Sequence, residues 1–158
     1  MKTINLFFYL MLLLLTLSFS CSNSDDEGAS ENTLEQQFIG TWQPLKFVVV
    51  CSTGSVEEEI YTTCEGQGRL TVNGNGTWSE TYFYEYIDDN CESDGESSGV
   101  WEIIEEKLIV TEIGFSEIEI DFFQVNNNVL QLGQYDDEFP CDGDKPSSHY
   151  YMEYAKVN

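Results

Sequence analysis

The chain is poor in positive charge. Six Lys and Arg residues stand against 29 Asp and Glu, giving a formal charge of −23 over 158 residues. Electrostatic binding to nucleic acid or to an anionic lipid surface is excluded, because the phosphate term would be repulsive. Histidine is reduced to one residue, His149, next to Tyr150 and Tyr151; a lone histidine near a strand end reads as a surface residue rather than a base. No Gly-x-Ser-x-Gly elbow, His-Glu-x-x-His or phosphate loop is present, and with acid spread along the whole chain no carboxylate pair stands out. The sequence therefore predicts no enzyme and no cofactor. Helix-favouring Ala, Lys and Arg are scarce, which argues against a helical fold.

Aromatic residues, by contrast, make up 14% of the chain, with nine Tyr and ten Phe, a balance that favours β structure. One short helix is expected where Thr33-Leu34-Glu35-Gln36 has the spacing of a capping box and Gly40 follows Ile39. From there the apolar pattern has period two. Eight strands are predicted: Trp42 to Val50, Gly68 to Val72, Thr77 to Ile87, Gly99 to Ile104, Lys107 to Ile113, Glu117 to Val125, Val129 to Gln134 and Ser148 to Val157. Asn73-Gly74-Asn75-Gly76 is a strong hairpin turn, because Asn and Gly accept positive φ. In the sixth strand Ile118, Ile120 and Phe122 share one face and Glu117, Glu119 and Asp121 the other. Eight antiparallel strands dispose of their edges most simply by pairing the first with the last, and such a barrel is filled by side chains or holds one small ligand.

Ahead of this domain, Lys2 precedes an apolar core from Ile4 to Leu17 and small residues around Ser18 and Ser20, the layout of a secretory signal too short for a comfortable membrane span. Cys21 follows, and the junction resembles the lipobox of bacterial lipoproteins. Ser24-Asp25-Asp26-Glu27 resembles the surface-export signal of Bacteroidota-type lipoproteins. This implies a signal peptide over 1–20, a lipidated Cys21 on a polar tether over 21–32, and a barrel domain over 33–158. The implied location is the bacterial outer membrane, with the domain exposed at the surface; more than one acyl chain gives stable anchoring.

At Gly40-Thr41-Trp42, after the short helix, the chain resembles the lipocalin signature, and more closely the short lipocalin-like domains of secreted bacterial lipoproteins. The similar pieces continue through Cys64 and Gly68-Arg69-Leu70-Thr71-Val72, Asn75-Gly76-Thr77-Trp78, Cys91, Ser98-Gly99-Val100-Trp101 and Lys107-Leu108-Ile109-Val110. The resemblance implies an eight-stranded up-and-down barrel. In lipocalins a late arginine packs over the signature tryptophan; here the only arginine is Arg69, in the second strand.

With Cys21 assigned to lipid, Cys51, Cys64, Cys91 and Cys141 remain, an even number for an oxidising compartment. In an up-and-down barrel all four fall at one rim. Cys64 precedes strand two and Cys91 follows strand three, its hairpin partner; Cys51 ends strand one and Cys141 precedes strand eight, where the barrel closes. The expected bridges are Cys64 with Cys91 and Cys51 with Cys141. A zinc site built from the four thiolates lacks any close Cys-x-x-Cys pair.

Acid gathers at the same rim in Glu57-Glu58-Glu59, in Asp88 to Glu96 and in Asp136 to Asp144. Asn90, Glu92 and Asp94 imitate the front of an EF-hand loop and are weak calcium candidates, with a solvated acidic face as the competing reading. Candidate pocket residues are Trp42, Leu70, Val72, Trp78, Tyr82, Tyr84, Ile118, Ile120 and Phe122, with tyrosine hydroxyls as polar handles. The expected function is a membrane-anchored, monomeric binding protein for a small, partly apolar or cation-bearing ligand. The alternative is a structural or protein-interaction lipoprotein with a packed barrel.

Overall fold

Period-two patterning becomes strands because alternate side chains of an extended chain point to opposite faces, so one row can be buried. The computed structural model describes residues 33–86, 90–136, 140–141 and 145–157. It begins with helix α1 (Leu34–Phe38), whose N-terminus carries both hydrogen bonds of the capping box: Gln36 N donates to Thr33 Oγ1 and Thr33 N to Gln36 Oε1, each at 3.2 Å. Then come β1 (Gly40–Cys51), β2 (Val56–Ile60), a 3-10 turn (Glu65–Gln67), β3 (Arg69–Val72), β4 (Thr77–Glu85) and β5 (Cys91–Ile104). The chain continues through β6 (Lys107–Glu112), β7 (Glu117–Ile120), β8 (Phe122–Asn126), β9 (Val129–Gln134), β10 (Pro140–Cys141) and β11 (Lys145–Val157). Among the described residues no helix is long and apolar enough to cross a membrane.

All pairings are antiparallel, in the order β7-β6-β5-β4-β3-β1-β11-β9-β8, with β2 added to β1 and β10 to β11. The first and last long strands zip together from Thr41 opposite Val157 to Cys51 opposite Ser147. The two ends of the order, β7 and β8, are successive parts of one stretch separated by Asp121, so the sheet curls into a nearly closed barrel.

Among the described residues the strand count is eleven rather than the expected eight, for three physical reasons. Glu57-Glu58-Glu59, expected as a rim loop, lies in β2, an exposed strand that uses the free edge of β1; Lys46 bridges to Glu58 at 2.6 Å. Cys141 forms a minimal ladder with Lys145. The predicted sixth strand breaks at Asp121, because its first half pairs with β6 and its second half with β9. Asp121 Oδ1 accepts a hydrogen bond from Tyr135 N at 2.9 Å and so holds the break.

The fourth strand also starts earlier than predicted, at Cys91 instead of Gly99. Cys91 to Ser98 is loop-like in composition, but the long β4 supplies a complete ladder, with one register shift between Tyr82 and Phe83. A tertiary partner overrides local propensity here.

The larger of two buried clusters lies toward the α1 end of the barrel, and a smaller one surrounds Val49, Cys51 and Cys141. Phe38 contacts Trp101 and Phe123 edge to face, with ring centroids 5.2 and 5.1 Å apart. Trp42 is completely buried, and its Nε1 donates to the Phe38 carbonyl at 2.8 Å. Trp101 Nε1 reaches the carbonyls of Asn73 and Thr77, tying the β3–β4 turn to the same end. At the opposite end two disulfides brace the strands: Cys51–Cys141 and Cys64–Cys91, with Cα–Cα distances of 5.6 and 5.4 Å.

Candidate functional site: the barrel cavity

Between the packed end and the disulfide rim lies a cavity of about 410 Å³. Its wall follows the alternation of the strands. β4 contributes Trp78, Glu80 and Tyr82; β6 contributes Leu108, Val110 and Glu112; β7 adds Ile118 and Ile120; β11 adds Tyr150, Met152 and Tyr154. Phe38 and Trp101 form the floor, and Phe47, Leu70, Leu132 and Gln134 complete the sides. Gly133 belongs to the wall for a steric reason: a Cβ there would overlap the Tyr150 carbonyl oxygen, so β9 and β11 approach closely only with glycine at this point.

The polar centre of this apolar wall is Glu80. Tyr82 Oη donates to its Oε2 at 2.9 Å and Tyr154 Oη to its Oε1 at 3.1 Å. Burial pushes the Glu80 carboxyl above its ordinary pKa, although both tyrosines pull the other way. The neighbouring phenols are displaced too. Burial raises Tyr82 and Tyr154 first, and the charge of Glu80 adds to both. A second cavity of about 190 Å³ also touches Glu80, Tyr82 and Tyr154, and is flanked by Tyr61, Glu65 and Asp94. Trp78 Nε1 is buried and has no hydrogen-bond partner among the described residues.

Of the pocket candidates read from sequence, Leu70, Trp78, Tyr82, Ile118 and Ile120 line the cavity. Trp42 and Val72 do not: they are consumed in the core beneath it. Tyr84 does not line the cavity: the extra residue at the β4–β5 register shift is Asp94 of β5, so Tyr84 keeps the same phase as Tyr82 but is exposed and pairs edge to face with Tyr86 at 5.2 Å. Phe122 is on the other face from Ile118 and Ile120. The break at Asp121 reverses the phase, so Phe123 and Val125 pack inward while Phe122 stacks on His149 at 4.6 Å and on Tyr151 at 5.1 Å.

Glu80 was not distinguished by its residue type, since acid is everywhere in this chain. Its signal is phase: it is the carboxylate that alternates with Trp78 and Tyr82 on the inward row, as Glu112 does with Leu108 and Val110. Asn90, Glu92 and Asp94 do not form a loop; Glu92 and Asp94 lie within β5, and Asn90 Nδ2 donates to Glu92 Oε1 at 3.1 Å. The four thiols are taken by the two disulfides. Met1 to Asn32 with Cys21, and the rim acids Asp88, Asp89, Asp137, Glu138, Asp142 and Asp144, lie outside the described residues.

The profile of the lipocalin-like domain matches residues 38–132, from Phe38 under the barrel to Leu132 in its wall. The chain belongs to this family. Comparison with curated proteins gives no match. For a lipocalin-like domain, a closed end stoppered by a short helix and an interior left unfilled is an arrangement for holding a ligand or for presenting a rigid barrel.

Proposed function

We propose that this lipocalin-like domain binds a small, partly apolar molecule in its barrel, and that it acts as a binder and not as an enzyme. The observation that carries this reading is the cavity of about 410 Å³, lined mainly by apolar and aromatic side chains with Glu80, Tyr82 and Tyr154 as convergent polar groups. A packed barrel would have closed that volume, because interiors otherwise pack to crystal-like density.

Titration with a neutral apolar fluorophore, N-phenyl-1-naphthylamine, tests the reading. Saturable enhancement is expected, and Val110→Trp, which fills the cavity from β6, is expected to abolish it. A flat titration of the folded protein would sink the proposal and favour a role in protein interaction.

We further propose that the domain is tethered to a bacterial outer membrane through lipid on Cys21, supported by the leader pattern and the polar segment that follows it. Metabolic labelling with an alkyne fatty acid is expected to mark the chain and to fail in Cys21→Ser.

A further inference from the structure

We infer that the molecule held in this cavity is an organic cation: an apolar amine whose ammonium group sits against the Glu80 carboxylate. The inference rests on the binding reading above and names the ligand's charge.

Two carboxylates, Glu80 and Glu112, face the cavity, and among the described residues its lining contains no Lys, Arg or His. The smaller cavity on the other side of Glu80 adds Glu65 and Asp94 and again no cation. A carboxylate removed from water is costly unless it is paired and hydrogen-bonded. Glu80 has the hydrogen bonds, one phenol on each oxygen, but among the described residues its partners are those two neutral groups. Each carboxylate oxygen accepts more than one hydrogen bond, so both retain capacity for a further donor.

The surroundings match an ammonium ion in a second way. Trp78 and Tyr82 flank Glu80 along β4, and Trp101 lies on the floor. Aromatic faces attract a desolvated cation that no protein side chain supplies here. A fatty acid or other anion would meet two acids and no base. A neutral ligand would leave Glu80 either protonated or with its charge uncompensated. An apolar body with one protonated amine satisfies both the wall and its polar centre.

The test uses three probes of one shape on the full chain with its disulfides intact: 3-phenylpropylamine, 3-phenylpropanol and 3-phenylpropanoate at pH 7. Displacement of the fluorophore is expected to rank them amine, alcohol, carboxylate, with the amine ahead of the alcohol by about tenfold or more, the worth of a charge-assisted hydrogen bond. In Glu80→Gln the alcohol should still bind and the amine's advantage should vanish. In the unaltered protein, the methylene next to nitrogen should show nuclear Overhauser contacts to the Trp78 and Tyr82 rings, which decides the matter without a variant. Equal binding of amine and alcohol, an advantage that survives in Glu80→Gln, or methylene contacts only to floor residues such as Phe38 would overturn the inference while leaving the binding reading intact. No displacement by any of the three, together with a flat fluorophore titration, would overturn both.

Discussion

Lys156 Nζ lies 4.9 Å from the centre of the Trp42 ring and donates to the Gln37 carbonyl at 3.1 Å. One cation near the end of β11 thus joins the signature tryptophan of β1 to the last turn of α1. It takes the position that the lipocalin resemblance gives to an arginine, while Arg69 is used elsewhere, on the carbonyls of Gly66 and Gly68. Lys156→Met should cost about 1 to 2 kcal/mol, the combined scale of a cation–π contact and one hydrogen bond. Lys156→Arg should retain most of it. Denaturant midpoints of the two variants check this, and an unchanged Lys156→Met midpoint would show the contact to be energetically idle.

Glu80 sets a pH dependence whose sign follows from its raised pKa. The folded state holds this proton more tightly than the unfolded chain. Stability therefore falls as pH rises from the ordinary carboxylate value of 4.5 through the raised folded value, and is level above it. Glu80→Gln should flatten that segment of the profile. Thermal melts of both proteins across the acidic range would reveal it; parallel profiles would mean that Glu80 is solvated.

The two bridges close loops of different length, with sequence separations of 90 for Cys51–Cys141 and 27 for Cys64–Cys91. On the loop-entropy estimate the first contributes about 4.6 kcal/mol and the second about 3.5 kcal/mol. Paired alanine variants should both unfold at lower denaturant, with Cys51→Ala/Cys141→Ala the weaker. The reverse order would point to native packing at the rim as the larger factor.

The β5–β6 turn carries two glutamates at positive φ, Glu105 at 51° and Glu106 at 68°. That backbone suits Asn-Gly and is unfavourable for longer side chains. Replacing the pair by Asn-Gly should raise stability by about 1 to 2 kcal/mol. A drop in the denaturation midpoint would mean that the glutamates make compensating contacts.

Much of the barrel was legible because alternation is a local signal. The strands expected at Thr77 to Ile87, Lys107 to Ile113 and Val129 to Gln134 are β4 (Thr77–Glu85), β6 (Lys107–Glu112) and β9 (Val129–Gln134), whose starts follow from their own residues. The cysteine pairs of the structure are those that strand order gives. What escaped was decided by partners. Nothing in Glu57-Glu58-Glu59 favours a strand until the open edge of β1 is known, and Cys91 to Ser98 extends only because β4 is long enough to hold it. Asp121 is the sharpest case: strict alternation continues through Phe122 in sequence, but the change of partner there reverses which residues face the cavity. Glu80 was readable by phase and was hidden by the surplus of acid.

The interruption at Asp121 also decides which edges the sheet exposes. A single unbroken strand paired with β6 on one side and β9 on the other would close the sheet and leave no edge at this point. Here β7 presents four residues and β8 five, on opposite sides, and β7 carries Glu117 and Glu119. Short charged edges are poor templates for a further strand. The same residue that turns Phe122 to the other face therefore opens the sheet, and the two edges it leaves are short, one of them lined with acid.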